Sequence, residues 1–207
     1  MQIPILNGVY TAEDADYKTS YPVNMMPVIQ DTGISKGYLR PVRGITEISR
    51  GPGPSRGAIN WNDSHFRVMG SKLCEIDENG NVTQIGNVGD DGLRVSMDYS
   101  FDILAIKSDR RLFYYYDSTV VDDTTWTFDL IATVGDYKLI EVTAAALGVV
   151  VDMIWIDGYF MTTDGEFLVV TELDEPTDVN LLKYGSSEID PDPVKSLQKL
   201  RNEVYAI

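Results

Sequence analysis

The chain of 207 residues has one cysteine, Cys74, and one histidine, His65. A lone cysteine excludes an internal disulfide. A lone histidine excludes a multi-histidine metal site, and any Ser-His-Asp set would depend on His65 alone. No apolar run reaches the roughly 18 residues that a membrane-spanning helix needs, so no such span is expected. The opening Met1-Gln2-Ile3-Pro4 lacks the basic start and apolar centre of a signal peptide. Positive charge is scarce: 17 Lys and Arg stand against 32 Asp and Glu, for a net charge of −15. A nucleic-acid-binding chain needs a basic face to replace phosphate counterions. Only Lys36, Arg40, Arg43, Arg50 and Arg56 form a basic cluster, and residues 151–184 contain no arginine. The charge argues against wrapping DNA and against direct, sequence-specific DNA recognition.

What the chain does have is a repeated pattern of short apolar bursts and tight turns. Ile59 and Trp61 precede the turn Asn62-Asp63-Ser64, then come Phe66 and Val68, a turn at Gly70-Ser71, and Leu73, Cys74 and Ile76. Met97 and Tyr99 begin a second copy, with turns at Ser100 to Asp102 and Ser108 to Arg110. Met153 and Trp155 begin a third, with turns at Asp157-Gly158 and Asp164-Gly165. Leu200, the turn Asn202-Glu203, and Val204 to Ala206 start a fourth. Trp61, Tyr99, Trp155 and Leu200 are equivalent, at intervals of 38 (99 − 61), 56 (155 − 99) and 45 (200 − 155). Four-stranded propeller blades repeat at about 40–50 residues. The chain therefore reads as all-β, a β-propeller-like array of small antiparallel sheets. The long middle interval predicts an insertion around Asp136 to Ala146.

Residues 1–56 stand outside the repeat and hold six of the nine prolines. Proline at that density disfavours helix and central strand, which predicts an extended N-terminal arm. Residues 57–207 then read as a partial propeller, with blades at about 57–88, 92–135 and 151–184 and a further one starting at 197–207. The outer strand of the second blade is expected at Thr125 to Ile131, and Val149 to Val151 favour another strand. Propellers have about 4–8 blades. An edge left open at Ile207 predicts either a longer product or pairing with another subunit.

No residue set points to catalysis, a cofactor or a metal. His65 reads as a hairpin-turn residue and Cys74 as a buried structural thiol. Asp77-Glu78-Asn79-Gly80-Asn81 has its glycine fourth rather than sixth and lacks a twelfth-position Glu, so it reads as a hairpin rather than a calcium loop. The acidic pairs Asp152/Asp157 and Asp164/Glu166 could form a glycosidase dyad, but solvated turn acids are the default. In a strand, Tyr115 faces away from Tyr114 and Tyr116, which predicts core and edge packing for this run rather than a stacking platform.

Ala15-Asp16-Tyr17, followed by Tyr21-Pro22-Val23-Asn24-Met25, resembles the opening of the packaged-DNA stabilisation, or tail hub, proteins of short-tailed phages. Gly37-Tyr38-Leu39-Arg40, Gly44-Ile45-Thr46, Phe66-Arg67-Val68, Gly70-Ser71-Lys72-Leu73 and Arg94-Val95-Ser96-Met97 follow in the same order, and the likeness fades after Tyr116. The resemblance implies a structural virion protein and not an enzyme. It implies a multi-copy ring below the portal and its adaptor ring that closes the DNA exit and holds the packaged genome. It further implies attachment of tail needle and tailspike or fibre proteins, location in the virion tail, and the host cytoplasm during assembly. On this reading Tyr17, Tyr21, Pro22, Val23, Asn24, Tyr38, Leu39, Arg40 and Arg43 are the partner-binding candidates. The alternative is a propeller-type glycan-binding module or glycosidase.

Overall fold

The computed structural model describes residues 24–32, 35–44, 46–173, 175–186 and 193–207. Every regular element among them is a β-strand. The chain divides into two compact units, Met1–Glu47 and Ile48–Ile207.

In the first unit, β1 (Met25–Thr32) and β2 (Ser35–Pro41) form an antiparallel hairpin, with Pro27 opposite Leu39. The extended arm expected for 1–56 did not include this hairpin. A two-stranded ladder has no central strand, so the prolines meet no obstacle there.

The second unit stacks four small sheets. The first is the meander β3 (Ser55–Trp61), β4 (Ser64–Met69), β5 (Lys72–Ile76) and β6 (Val82–Asn87). The second contains β7 (Ser96–Tyr99), β8 (Ile103–Ser108), β9 (Arg111–Asp117), β10 (Phe128–Val134) and β11 (Tyr137–Val142), in the order β7-β8-β9-β11-β10. The third is the meander β12 (Asp152–Ile156), β13 (Tyr159–Thr163), β14 (Phe167–Thr171) and β15 (Val179–Ser186). A hairpin of β16 (Leu197–Leu200) and β17 (Glu203–Ala206) follows.

Local chemistry sets the tight turns. Asn62 and Asp63 both have positive φ (47° and 59°), as do Asp157 and Gly158 (49° and 93°), the backbone that twisted two-residue hairpins require. Asn, Asp and Gly adopt it at least cost.

The sheets pack face to face. Trp61, Phe66, Val68 and Leu73 of the first sheet meet Leu104, Ile106, Phe113 and Tyr115 of the second. The opposite face of the second sheet, with Ile103, Leu112, Tyr114 and Tyr116, meets Met153, Phe160 and Val179 of the third. Ile154 of the third meets Val194 and Leu197 beside the last hairpin. The second sheet is thus covered on both sides, which is why every residue of β8 is buried. The Tyr114-Tyr115-Tyr116 run alternates between the two cores, as strand period dictates. The first strands lie side by side, β3 by β7, β7 by β12 and β12 by β16. Gly57 permits the first approach, since a Cβ there would sit 2.8 Å from the Val95 carbonyl oxygen. Small sheets stacked by their faces, with their first strands adjacent, make a β-propeller-like array.

Three expectations are corrected. The outer strand of the second sheet is Phe128–Val134, not Thr125 to Ile131, because Trp126 is drawn against Tyr114 and Tyr116. The segment expected as an insertion supplies β11, which takes the fourth place beside β9 and pushes β10 outward. Val149 to Val151 form no strand. Val150 is buried in the second core, and its N–H donates to the Arg110 carbonyl at 2.9 Å.

Candidate functional site

Adjacent first strands in this array are not hydrogen-bonded to one another as a ladder, so their inward polar groups need other partners. Buried side chains supply them. Arg56, on β3, has a side chain only 6% exposed. Its guanidinium donates to the carbonyls of Leu93 at 2.7 Å, Gly89 at 2.9 Å and Gly70 at 3.1 Å. It also reaches the Ser108 hydroxyl at 3.2 Å and pairs with the Asp91 carboxylate. Five N–H groups in a rigid fork suit this seam between the first two sheets. Burial alone would raise the Asp91 carboxyl pKa, but the Leu93 N–H, Lys107 and Arg56 outweigh it and hold the group below its ordinary value.

Carboxylates join the later seams. Asp98 of β7 accepts from the Trp155 N–H of β12 at 2.7 Å. Asp152 of β12 accepts from the Ser96 hydroxyl of β7, from its neighbour Met153 N–H at 2.9 Å, and from the Leu197 N–H of β16 at 2.7 Å. One buried acid thereby links three sheets. Residue reading missed these roles, although a signal existed. Ser96, Asp152 and Leu197 each stand three places before the repeat position (99 − 96, 155 − 152, 200 − 197).

The repeat positions themselves meet at one rim. Trp61, Tyr99 and Trp155, with Phe101, Asn60 and His65, line an open groove of about 570 Å³ across the first three sheets. Phe101 packs edge-on to Trp155 at 6.2 Å, and the Lys199 ammonium lies 5.5 Å from the centre of the Trp155 ring. Leu200 lies with Tyr205 in a second depression at the last hairpin.

The other candidates take structural places. His65 is on β4, half-buried, with Nδ1 2.6 Å from Asn60 Oδ1 and Nε2 3.4 Å from Arg67. Cys74 is buried on β5, and burial pushes its thiol pKa up. Asp77 accepts from the Asn79 and Asn81 N–H groups and the Asn81 amide, so its oxygens close their own turn. The glycosidase pairing fails. Asp152 is buried in a seam, and Asp157 is exposed beyond the far end of the strand, roughly 16 Å along the chain at the ordinary rise. Asp164 accepts from the Glu166 and Phe167 N–H groups as a turn residue.

Arg56 leaves the proposed basic cluster, since it is buried among acceptors rather than presented to a partner. Of the partner-binding candidates, Tyr17, Tyr21, Pro22 and Val23 lie outside the described residues. Asn24 is exposed at φ 56°, and its carbonyl accepts from the Val42 N–H at 2.9 Å. Tyr38, Leu39 and Arg40 lie along β2, opposite Val28, Pro27 and Met26. Arg40 and Arg43 are exposed.

Comparison with known proteins agrees with this architecture. The family model described as bacteriophage P22 Gp10, beta-propeller, matches residues 1–207. The tail hub protein gp10 of Salmonella phage P22 is 33% identical over 133 residues, which cover 62% of this chain and 27% of that protein. The chain thus corresponds to about a quarter of the length of this curated relative. The whole-chain match, on an all-β array with stacked sheets, places the protein in the bacteriophage P22 Gp10 β-propeller family.

Proposed function

We propose that this chain is a structural component of a phage tail and acts as part of a tail hub. The observation that carries the reading is the 33% identity to the P22 tail hub protein. On this reading several copies form a ring below the portal and adaptor, close the DNA exit and stabilise the packaged genome. Tail needle and tailspike or fibre proteins attach to it. The protein is then a virion component, assembled in the host cytoplasm, and performs no catalysis.

The physical features support a load-bearing part. Each inter-sheet seam combines an apolar core with a buried polar tie, so load passes through packed side chains rather than loops. We further assign the residues before β3, which begins at Ser55 within the expected 1–56, as an arm, and the rest to 207 as a partial propeller of three blades and the start of a fourth. An arm of this kind suits docking across a neighbouring subunit. Tyr17, Tyr21, Pro22, Val23, Asn24, Tyr38 and Leu39 serve as anchors, and Arg40 and Arg43 as charge partners.

Mass spectrometry of purified virions tests the hub reading. The expected result is this sequence in the particle at several copies; absence from particles refutes it. Deleting residues 1–50 tests the arm: attachment is lost while the sheets stay folded, and unchanged attachment would refute the arm's role.

A further inference from the structure

The rim that carries the repeat positions gathers exposed apolar side chains around a groove. Large apolar side chains are exposed along it: Phe101 at 84% and Tyr99 at 43% at the groove, and Leu200 at 62% and Tyr205 at 46% in the neighbouring depression of the last hairpin. Leu173, also exposed, lies against the Asp157-Gly158 turn, with its Cδ1 2.6 Å from where a Gly158 Cβ would be. Single exposed apolar residues need no explanation, but several gathered at one rim around a groove do.

The three turns around the groove carry unpaired charge of one sign. Asp63, Asp102 and Asp157 stand in the turns of the first three sheets, exposed and with no ion-pair partner among the described residues. At the opposite end Asp90 and Asp91 pair with Arg56, and Asp109 and Glu141 with Arg111, while Asp164 and Glu166 are exposed there without an ion pair among the described residues. The basic side chains that border the groove already have partners. Lys199 bonds the Trp155 carbonyl and pairs with Asp98 at 3.7 Å, and His65 is held between Asn60 and Arg67. Arg201 is exposed in the turn between Leu200 and Tyr205; like them it lines the neighbouring depression and not the groove.

We propose that this groove docks a segment of a protein partner that presents an apolar side chain flanked by Lys or Arg. The apolar group enters between Tyr99, Phe101 and Trp155, and the flanking cations face Asp63, Asp102 and Asp157. Charge complementarity selects this occupant. Nucleic acid and a second acidic rim are both repelled. Trp155 offers a sugar no open face to stack on, since Lys199 lies over its ring and Phe101 against it. The assignment rests on the hub reading and gives the chemistry of one attachment point.

The test is photocrosslinking in the intact particle. Phe101→p-benzoylphenylalanine is introduced into the full-length protein of the encoding phage, with Val149→p-benzoylphenylalanine at the opposite end as control. Virions are irradiated and the adducts sequenced. The expected adduct joins position 101 to another virion protein, at a segment with Lys or Arg within a few residues of the crosslink. Adding D63N, D102N and D157N lowers the yield at 101 at least tenfold and leaves the control unchanged. Asn tolerates the positive φ of Asp63 and Asp157, and Asp102 is exposed without positive φ, so Asn at these positions suits the fold. Four outcomes overturn the proposal: no adduct at 101, an adduct to DNA or to a second copy, an adduct at an acidic segment, or a yield indifferent to the three substitutions. Absence of the unmodified chain from the particle overturns the hub reading instead, and this assignment with it.

Discussion

Replacing Arg56 with methionine removes the tie between the first two sheets and keeps most of the apolar volume. The cost can be worked from its partners. The carbonyls of Leu93 and Gly89 belong to the exposed loop before β7, so water can replace the guanidinium there. Gly70 and Ser108 are buried and cannot be served in that way. Asp91, only 15% exposed, loses its closest cation, and its second oxygen already has no hydrogen-bond partner. Breaking one side of a buried ion pair costs about 3–5 kcal/mol. For a chain of this size that lowers the melting temperature by roughly 6–20 °C, at about 2–4 °C per kcal/mol. R56K should recover less than half, because an ammonium cannot reproduce the fork. Guanidinium unfolding followed by tryptophan fluorescence measures the loss, since Trp61 lies in the core beside this seam. A cycle with D91N should give a coupling of about 1.5–3 kcal/mol, the worth of a hydrogen bond to a charged group. A loss below about 1 kcal/mol for R56M, or additivity within about 0.5 kcal/mol in the cycle, would refute the reasoning.

Asp152→Ala should cost about 2–5 kcal/mol, because the buried Leu197 and Met153 N–H groups both lose their acceptor. Asp152→Asn should cost about half as much, and urea unfolding of the pair separates the two. Burial raises the pKa of Tyr114, Tyr115 and Tyr116 above the ordinary phenol value, with Glu75 adding to the shift at Tyr115 and Asp123 at Tyr116. A raised folded pKa gives stability that is complete below the unfolded value, near 10, and lost as pH climbs above it. The 295 nm absorbance of these tyrosines should therefore rise together with unfolding above about pH 10, and phenolate signal from the intact fold would contradict their placement. Cys74 should resist a disulfide-exchange thiol reagent at pH 8 until denaturant is added; fast labelling of the native chain would place the thiol at the surface.

Most of the fold was legible because it is local. A two-residue turn needs Asn, Asp or Gly where φ is positive, and strand period assigns alternate side chains to opposite faces. Asn62-Asp63 and Asp157-Gly158 could thus be read as turns, and Tyr115 as facing away from Tyr114 and Tyr116. The misplaced elements are those in which tertiary packing overrode the local pattern. Trp126 reads as the start of an alternating strand, yet it packs against Tyr114 and Tyr116, so β10 begins two residues later. Nothing in the run from Tyr137 to Val142 says that it enters the sheet beside β9, ahead of β10.

The candidate surface divides in the same way. Sequence determined the all-β class, the repeat, and the equivalence of Trp61, Tyr99, Trp155 and Leu200, because each follows from spacing along one chain. Tertiary structure alone decided that three of these positions share a groove, that Arg56 is a buried tie rather than part of a basic surface, and that Asp98 and Asp152 join sheets. The physical reason is the distance along the chain over which each choice is made. Turn chemistry and pleat act over a few residues. Arg56 and Asp91, or Ser96 and Asp152, are 35 and 56 residues apart, and they meet only once the sheets have stacked.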